Sequence, residues 1–350
     1  GLDVEDAANY DLTEFDLAIG GKYWELHAAK LPLRWGPGRS GQLLLSEWAT
    51  SFHQVQFNLN LGSRLRLTYV FGTLKTNPDH EVKDTLYTIA GGERTIEATK
   101  FIAAHRLEWN PHRRWRFAFA EAVIFGERDP ELAYLIPINF FHSAQRDLGD
   151  EDNSLLSLSA AWIPYPRWKI YSELLIDDIT FGKLGSDFYG NKLGWLGGFS
   201  WVEPLGFANL DATLEMAQLR PFVYTHRYPV NVYTNWTASL GYRYPPNSQV
   251  IFADLRYRPH RRMTLEASWT KLLHGANSDS LNAGGDINLP HESGQSEDAP
   301  FLGGVLEKTH RIELSGLYEA LENLYLWGKG SWIRMAEEDS WEVEVGFRLN

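Results

Sequence analysis

Residues 341–349 read Trp-Glu-Val-Glu-Val-Gly-Phe-Arg-Leu. Trp341, Val343, Val345, Phe347 and Leu349 fall on one side of an extended chain, and Glu342, Glu344, Gly346 and Arg348 fall on the other. A period of two marks a β-strand with one apolar and one polar face. The same alternation runs back through the chain. It sets Ile312, Leu314 and Tyr318 against Arg311, Glu313 and Glu319. It sets Ile251, Ala253, Leu255 and Tyr257 against Asp254, Arg256 and Arg258, and Val55, Phe57, Leu59 and Leu61 against Gln54, Gln56, Asn58 and Asn60.

Working outward gives fifteen strands, at 10–20, 22–33, 53–61, 63–75, 99–109, 115–125, 155–165, 168–177, 193–202, 207–219, 249–258, 263–272, 310–320, 324–334 and 341–349. They average roughly ten residues, against about 5–6 in ordinary proteins. Long strands of even length suit a bilayer-spanning barrel, whose strands need about 9–11 residues. Short turns such as Gly62-Ser63 and Pro166-Arg167 separate long connections at 34–52, 76–98, 126–154, 178–192, 220–248 and 273–309. Short turns at one end and long loops at the other are the layout of an outer-membrane barrel. Trp109, Trp115, Trp162, Trp168 and Trp341 lie near strand ends, where interfacial girdles form. Bacterial barrels usually have an even strand count. One N-terminal strand is therefore missing from the count or from this chain, or residues 1–9 supply it. Residues 231–244 also alternate, but counting them as a wall strand breaks the order of turns, so they belong to loop 220–248 as a hairpin above the membrane. The expected fold is all-β, one domain over 1–350. It is a transmembrane antiparallel β-barrel of about 16 strands (roughly 14–18), with its lumen partly plugged by loops and short helices.

The chain has 350 residues, with 33 Lys+Arg against 45 Asp+Glu and a net charge of −12. No basic stripe exists to neutralise phosphates, which excludes a nucleic-acid binder. The absence of cysteine removes disulfides, thiolate metal sites and cysteine nucleophiles. No apolar run approaches the ~20 residues of a spanning helix. Gly1–Asp6 shows no signal peptide, and the chain is read as a mature or trimmed product. Eleven histidines are scattered without H-E-x-x-H or any metal-ligand spacing. The oxygen-rich stretch Asp147 to Asn153 lacks the spaced ligands of a calcium loop and reads as a solvated external loop. No metal and no cofactor are expected.

Glu121, Glu173 and Asp177, with Arg106 and Arg116, read as a polar lumen network of Arg–carboxylate pairs. A glycosidase would need two carboxylates about 5–9 Å apart across a sugar. Such pairs arise by chance in a polar lumen, and no G-x-S-x-G is present, so no enzyme is expected. Residues 126–149 carry a helical face behind Asp129-Pro130, and 178–192 a second turn or helix. Both are expected to dip into the lumen and narrow it.

Residues 33–52 read LRWGPGRSGQLLLSEWATSF. Gly36, Pro37, Gly38 and Gly41 specify one compact turn. The Lys-Ser/Thr of a phosphate loop is absent. Leu43, Leu44 and Leu45 are too apolar for an exposed tip, Trp35 calls for burial, and Arg34 and Arg39 call for carboxylate partners. Residues 34–46 are therefore expected to fold inward as a plug.

With this loop, the blocks EAVIFGERDPELAYLIPINFFHSAQ (121–145), LGDEDNSLLSLSAAW (148–162), KIYSELLIDDI (169–179), PFVYTH (221–226) and YPPNSQ (244–249) resemble the Wzi family of outer-membrane capsule-assembly proteins. The resemblance spans roughly residues 15–275 and includes no counterpart of the N-terminal periplasmic helical region of longer members. It implies a monomeric outer-membrane barrel that contacts lipid and binds capsular-type surface polysaccharide. It implies a lectin-like anchor, with loops at the cell surface and termini in the periplasm. Sugar C–H faces pack on aromatic rings, and hydroxyls bond to Arg, Asp and Asn. The expected glycan-binding residues are Trp35, Arg39, Trp48, Tyr224, His226, Tyr233 and Trp236. The alternative is a porin or channel for small solutes, or a structural subunit of a larger envelope complex.

Overall fold

The computed structural model describes residues 13–77, 82–87, 93–336 and 338–349. Fifteen strands form one antiparallel sheet in strict chain order. They are β1 (Phe15–Gly20), β2 (Trp24–Leu31), β3 (Phe52–Leu61), β4 (Leu65–Thr73), β5 (Lys100–His112), β6 (Trp115–Gly126), β7 (Asn153–Trp162), β8 (Trp168–Asp178), β9 (Lys192–Val202), β10 (Leu210–Leu219), β11 (Ser248–His260), β12 (Met263–Ala276), β13 (Val305–Leu321), β14 (Leu324–Met335) and β15 (Glu338–Leu349). The sheet is the wall of a transmembrane β-barrel, and all fifteen strands read from the alternation are present. β13 starts five residues earlier than read, because Val305 to Thr309 continue the ladder with β12 as far as Ala276. Residues 1–9 and the first residues of the strand read at 10–20 lie outside the described residues. Among the described residues the sheet edges are β1 and β15.

Side-chain parity assigns the two faces. Trp115 pairs directly with Trp162, and their rings stack 5.1 Å apart on the outer face. Trp168 meets Trp201 edge-on at the same end, as an interfacial girdle requires. Leu107, Leu158, Leu174, Leu214, Leu255 and Leu314 carry the exposed apolar band. Residues of opposite parity face the lumen. Near the long-loop end these are also apolar: Val70, Ile102, Ala122, Ile124, Leu155, Leu175 and Leu196 are buried against the plug.

The plug is made by 34–46 and 221–242. Leu43, Leu44 and Leu45 are at most 1% exposed and pack with Trp35, Tyr224, Tyr233, Leu240 and Tyr242. The Trp35 amide donates to the Leu45 carbonyl at 2.8 Å, which closes the loop. A Cβ at Gly38 would lie 2.1 Å from the Gly41 carbonyl oxygen, and one at Gly36 would lie 2.4 Å from Glu173 Oε2. Only glycine allows that approach. The second segment holds the first. Tyr224 and Tyr233 hydroxyls donate to the Leu43 and Leu44 carbonyls, and the Ser46 amide donates to the Leu240 carbonyl. The hairpin expected in 231–244 exists, Thr234–Asn235 pairing with Ala238–Ser239, but it is buried in the plug. A short helical turn, Pro229–Asn231, packs there too.

Residues 126–149 do form helices, α1 (Leu132–Leu135) and α2 (Phe141–Asp147), but not in the lumen. They fold back over the outside of the wall. Tyr134, Phe141 and Ala144 pack on Tyr69, Ala103, Val123 and Phe125, which share the parity of Trp109 and Trp115. Leu132 (72% exposed) and Ile138 (83%) point away from the wall. The turn expected in 178–192 is Phe181–Lys183, also outside the lumen core.

Wall carboxylates hold these loops. Glu215 accepts from the Arg39 amide (2.6 Å), the Ser40 amide (2.8 Å), the Ser40 hydroxyl and the Tyr171 hydroxyl (2.6 Å). Glu173 accepts from the Leu44 amide and Ser157, and Asp177 accepts from the Tyr224 amide at 2.6 Å. Truncating Glu215 strands several buried donors, at a cost of about 1.5–3 kcal/mol for a charged acceptor. Glu215→Ala is expected to lower the unfolding temperature seen by heat-modifiable gel migration. It is also expected to raise conductance in planar bilayers. A silent variant that melts with the wild type would show that the plug does not depend on this carboxylate.

Candidate functional site

Four long connections converge over the rim of β7, β8 and β9. The stretches 178–191 and 286–299 are zipped together: the Tyr189 amide donates to the Glu297 carbonyl at 2.9 Å, and the Ala299 amide to the Asp187 carbonyl at 2.7 Å. This places the Tyr189 ring on the His291 ring, centroids 3.5 Å apart and planes 10° apart. The buried Phe222 ring meets both edge-on. The result is a fixed, flat aromatic platform. Facing it across a cleft of about 440 Å³ are α2 and the segment 225–227.

Polar groups ring the platform. Lys192 bridges Asp178 at 3.0 Å and donates to the Thr225 carbonyl. Arg227 donates to the Asp150 carbonyl, which ties the 220–248 loop to the end of the 126–154 loop. Arg146 lines the cleft from α2. Asp152, 1% exposed, uses one oxygen for Arg128 and the Tyr134 hydroxyl, and its other oxygen has no protein partner. His226 also lines the cleft. Burial, reinforced by the nearby Lys192 charge, disfavours its imidazolium and lowers its pKa to about 4.

The residues singled out in the sequence are distributed unequally. His226 is in the cleft. Trp35, Tyr224 and Tyr233 are buried in the plug. Arg39 points its guanidinium at Asp254 (3.4 Å) and Glu266 (3.5 Å) inside the lumen. Trp48 is half exposed, with the Arg243 guanidinium 4.3 Å above its ring. Trp236 is partly buried, its amide donating to the Lys75 carbonyl. Gly36, Pro37, Gly38, Gly41 and Arg34 form the plug turn, Arg34 donating to the Gly38 carbonyl at 2.9 Å.

The lumen network differs from the expected Arg–carboxylate mesh. Arg106 pairs with Glu108 at 3.0 Å, but Glu173 and Asp177 accept from plug amides instead of arginines. Glu121 does not face the lumen at all. It has the parity of Trp115 and Phe117, and it accepts from the Phe141 (2.8 Å) and His142 (2.6 Å) amides at the start of α2. Arg116 does face inward, toward the short-turn end. Asp178, Tyr189, Lys192 and His291 escaped the sequence reading. Each lies in a loop recognised as long, but only the pairing of two loops 100 residues apart brings Tyr189 onto His291. Among the described residues no group of His, Asp and Glu is arranged to hold a metal.

Comparison with known proteins agrees with the geometry. A family model described as capsule assembly protein Wzi matches residues 3–335. Among solved structures the chain is similar to Wzi of Escherichia coli, described as an outer membrane protein involved in group 1 capsule assembly and a carbohydrate-binding β-barrel. The TM-score is 0.64 at 14% identity, over 94% of this chain and 67% of that one. It is also similar to OccD3 (OpdP) of Pseudomonas aeruginosa (TM-score 0.52, 11% identity, 95% of this chain and 76% of that one). A BenF-like porin of Pseudomonas fluorescens gives TM-score 0.50 at 11% identity, over 96% and 77%. At such identities the structural likeness speaks to the fold alone. No curated protein sequence matches. The family match runs through the plug, the helices and the loops of the cleft, and on it the chain belongs to the Wzi family of capsule assembly proteins, as an outer-membrane β-barrel.

Proposed function

We propose that this protein is a non-enzymatic, monomeric outer-membrane barrel that holds a capsular-type polysaccharide in the cleft between α2 and the 178–191 and 286–299 loops. The long loops lie at the cell surface and the termini in the periplasm. The carrying observation is the Tyr189–His291 platform, fixed by Phe222 and ringed by Asp178, Lys192, Arg146 and Arg227. A sugar ring lays its C–H face on such a platform while its hydroxyls bond to the ring of charged and carbonyl groups. The E. coli relative is described as carbohydrate-binding, which supports the reading. The residues buried in the plug, Trp35, Tyr224 and Tyr233, act through position: the Tyr224 amide anchors on Asp177, next to the cleft residue Asp178. Trp48, the most exposed of the tryptophans expected to bind sugar, offers a second stacking surface outside the cleft. The buried plug also disfavours a porin role.

Removing the platform with Tyr189→Ala is expected to weaken binding of the bacterium's own surface polysaccharide roughly tenfold, the equivalent of ~1.4 kcal/mol. Calorimetry or a glycan array reads this, with heat-modifiable migration confirming an intact barrel. Wild-type affinity in the variant, or a wild type that binds no bacterial glycan while its deletion leaves the surface glycan attached, removes the proposal. The His226 ring gives a second check. Its folded pKa lies below its unfolded value of about 6.5. Its contribution to stability is present above that value and is lost as pH falls toward 4. Histidine NMR should find its titration midpoint near 4. A midpoint at 6.5 would mean that the cleft wall is solvated.

A further inference from the structure

The opposite end of the barrel has a different character. At the short-turn end lies a cavity of about 720 Å³, lined by residues of β5 to β8 and of the turns between the strands from β3 to β8. Its lining includes Arg64, Arg113, Arg114, Arg116 and Lys169, together with His112, and no Asp or Glu. This is unusual in a chain of net charge −12. Most lumen cations in this barrel are matched: Arg39 by Asp254, Arg106 by Glu108, Arg256 by Glu266 and Arg258 by Asp211. Among the described residues, Arg116 and Lys169 have no carboxylate within ion-pair distance. Lys169 is instead held over the Tyr171 ring at 4.6 Å, with the Arg116 and Arg34 charges opposing it and the Glu215 charge favouring it.

Strand register explains the convergence. Trp115, Trp162 and Trp168 point outward, so Arg116, Ala161 and Lys169 of the neighbouring positions point inward. Ala161, opposite Arg116, leaves the space. Like charges gathered around an open volume repel one another, and the arrangement is relieved by an anion that several of them share. The volume is that of an ordinary ligand pocket, about 300–1,000 Å³.

We propose that this vestibule is an anion-selective saccharide site that binds a carboxylate-bearing segment of a few sugar residues at the short-turn mouth. Arg116 and Lys169 face the lumen, with Arg113 and Arg114 on the turn at its rim, while the aromatic girdle occupies the lipid face of the same strands. This favours a soluble anionic chain over a phospholipid headgroup. Guanidinium groups on several strands suit carboxylates spaced along a chain. The site is separate from the cleft at the other end, and its choice of a saccharide rests on the function proposed above.

The test is calorimetry of the purified, full-length barrel in zwitterionic detergent, with trigalacturonate as probe and maltotriose as its neutral counterpart. At low salt, trigalacturonate should bind and maltotriose should give no heat, and binding should fade as salt shortens the screening length. The double variant Arg116→Gln/Lys169→Gln should weaken trigalacturonate roughly tenfold or more, while Arg116→Lys/Lys169→Arg should stay within about threefold of the wild type. Heat-modifiable migration verifies each barrel. Equal binding by the Gln double variant, or equal binding of maltotriose, overturns the proposal and leaves the cleft reading untouched. Competitive loss of trigalacturonate in nanodiscs containing phosphatidylglycerol, relative to phosphatidylcholine, overturns it in favour of a lipid headgroup.

Discussion

The arrangement depends on how irregular backbone is satisfied where water is scarce. A barrel wall pairs its own amides and carbonyls, but a loop packed inside it or against its outside brings unpaired N–H groups. Here the wall supplies acceptors as carboxylates. Glu215 takes the amides of Arg39 and Ser40, Glu173 that of Leu44, and Asp177 that of Tyr224. Glu121 does the same on the outside for Phe141 and His142. A carboxylate suits the task because it accepts several bonds at once. It also fixes register. A loop whose amides must meet an acidic side chain on a particular strand has one seat, and the apolar contacts of Leu43 to Leu45 then close around it.

The strands were legible because their signal is local. Each needs only its own alternation, so the reading of 341–349 transferred to fourteen others. The compact turn at Gly36-Pro37-Gly38 and its burial were legible for the same reason: three residues with restricted choices precede three leucines. What failed was the side taken by the helices of 126–149 and the placing of the 231–244 hairpin above the membrane. The helical pattern in 126–149 was correct, but its side of the wall was not, although parity held the answer. Glu121 is six residues from Trp115, an even number, so it shares the tryptophan's outward face. Phe119, Val123 and Phe125 share it too, and together they make the outer seat for α2. The aromatic residues expected to meet sugar illustrate a second limit. Tyr224 and Tyr233 look like stacking surfaces in sequence, yet their hydroxyls close the plug on the Leu43 and Leu44 carbonyls. Composition alone cannot separate a tyrosine that seals a core from one that greets a ligand.

The cleft is less legible still, because it belongs to no single segment. Tyr189 and His291 are ordinary residues in loops of ordinary composition, and the bridge between Phe188 and Asp298 is what stacks them. The wall also contributes indirectly. Asp177 faces the lumen and pins Tyr224, while the next residue, Asp178, ends the strand and pairs with Lys192 at the cleft. One strand end thus holds both the plug and the polar rim above it.

The plug divides the barrel into two spaces of opposite character. Above it, acidic and basic groups alternate around an aromatic platform, and most of the charges are paired. At the short-turn end, one cavity gathers Arg64, Arg113, Arg114, Arg116 and Lys169 with no carboxylate in its lining, while Arg258 and Asp211 pair elsewhere at that end. Glu173, Asp177 and Glu215 lie on inward positions of β8 and β10, but their oxygens are taken up by plug amides. Arg116 on β6 and Lys169 on β8 stand nearer the short-turn end, where Glu215 acts on Lys169 through space and not through an ion pair. The plug therefore does more than fill space. It also seats its amides on the wall's carboxylates, while the cavity around Arg64, Arg116 and Lys169 is lined by cations, so a chain that is acidic as a whole presents a local basic patch at one end.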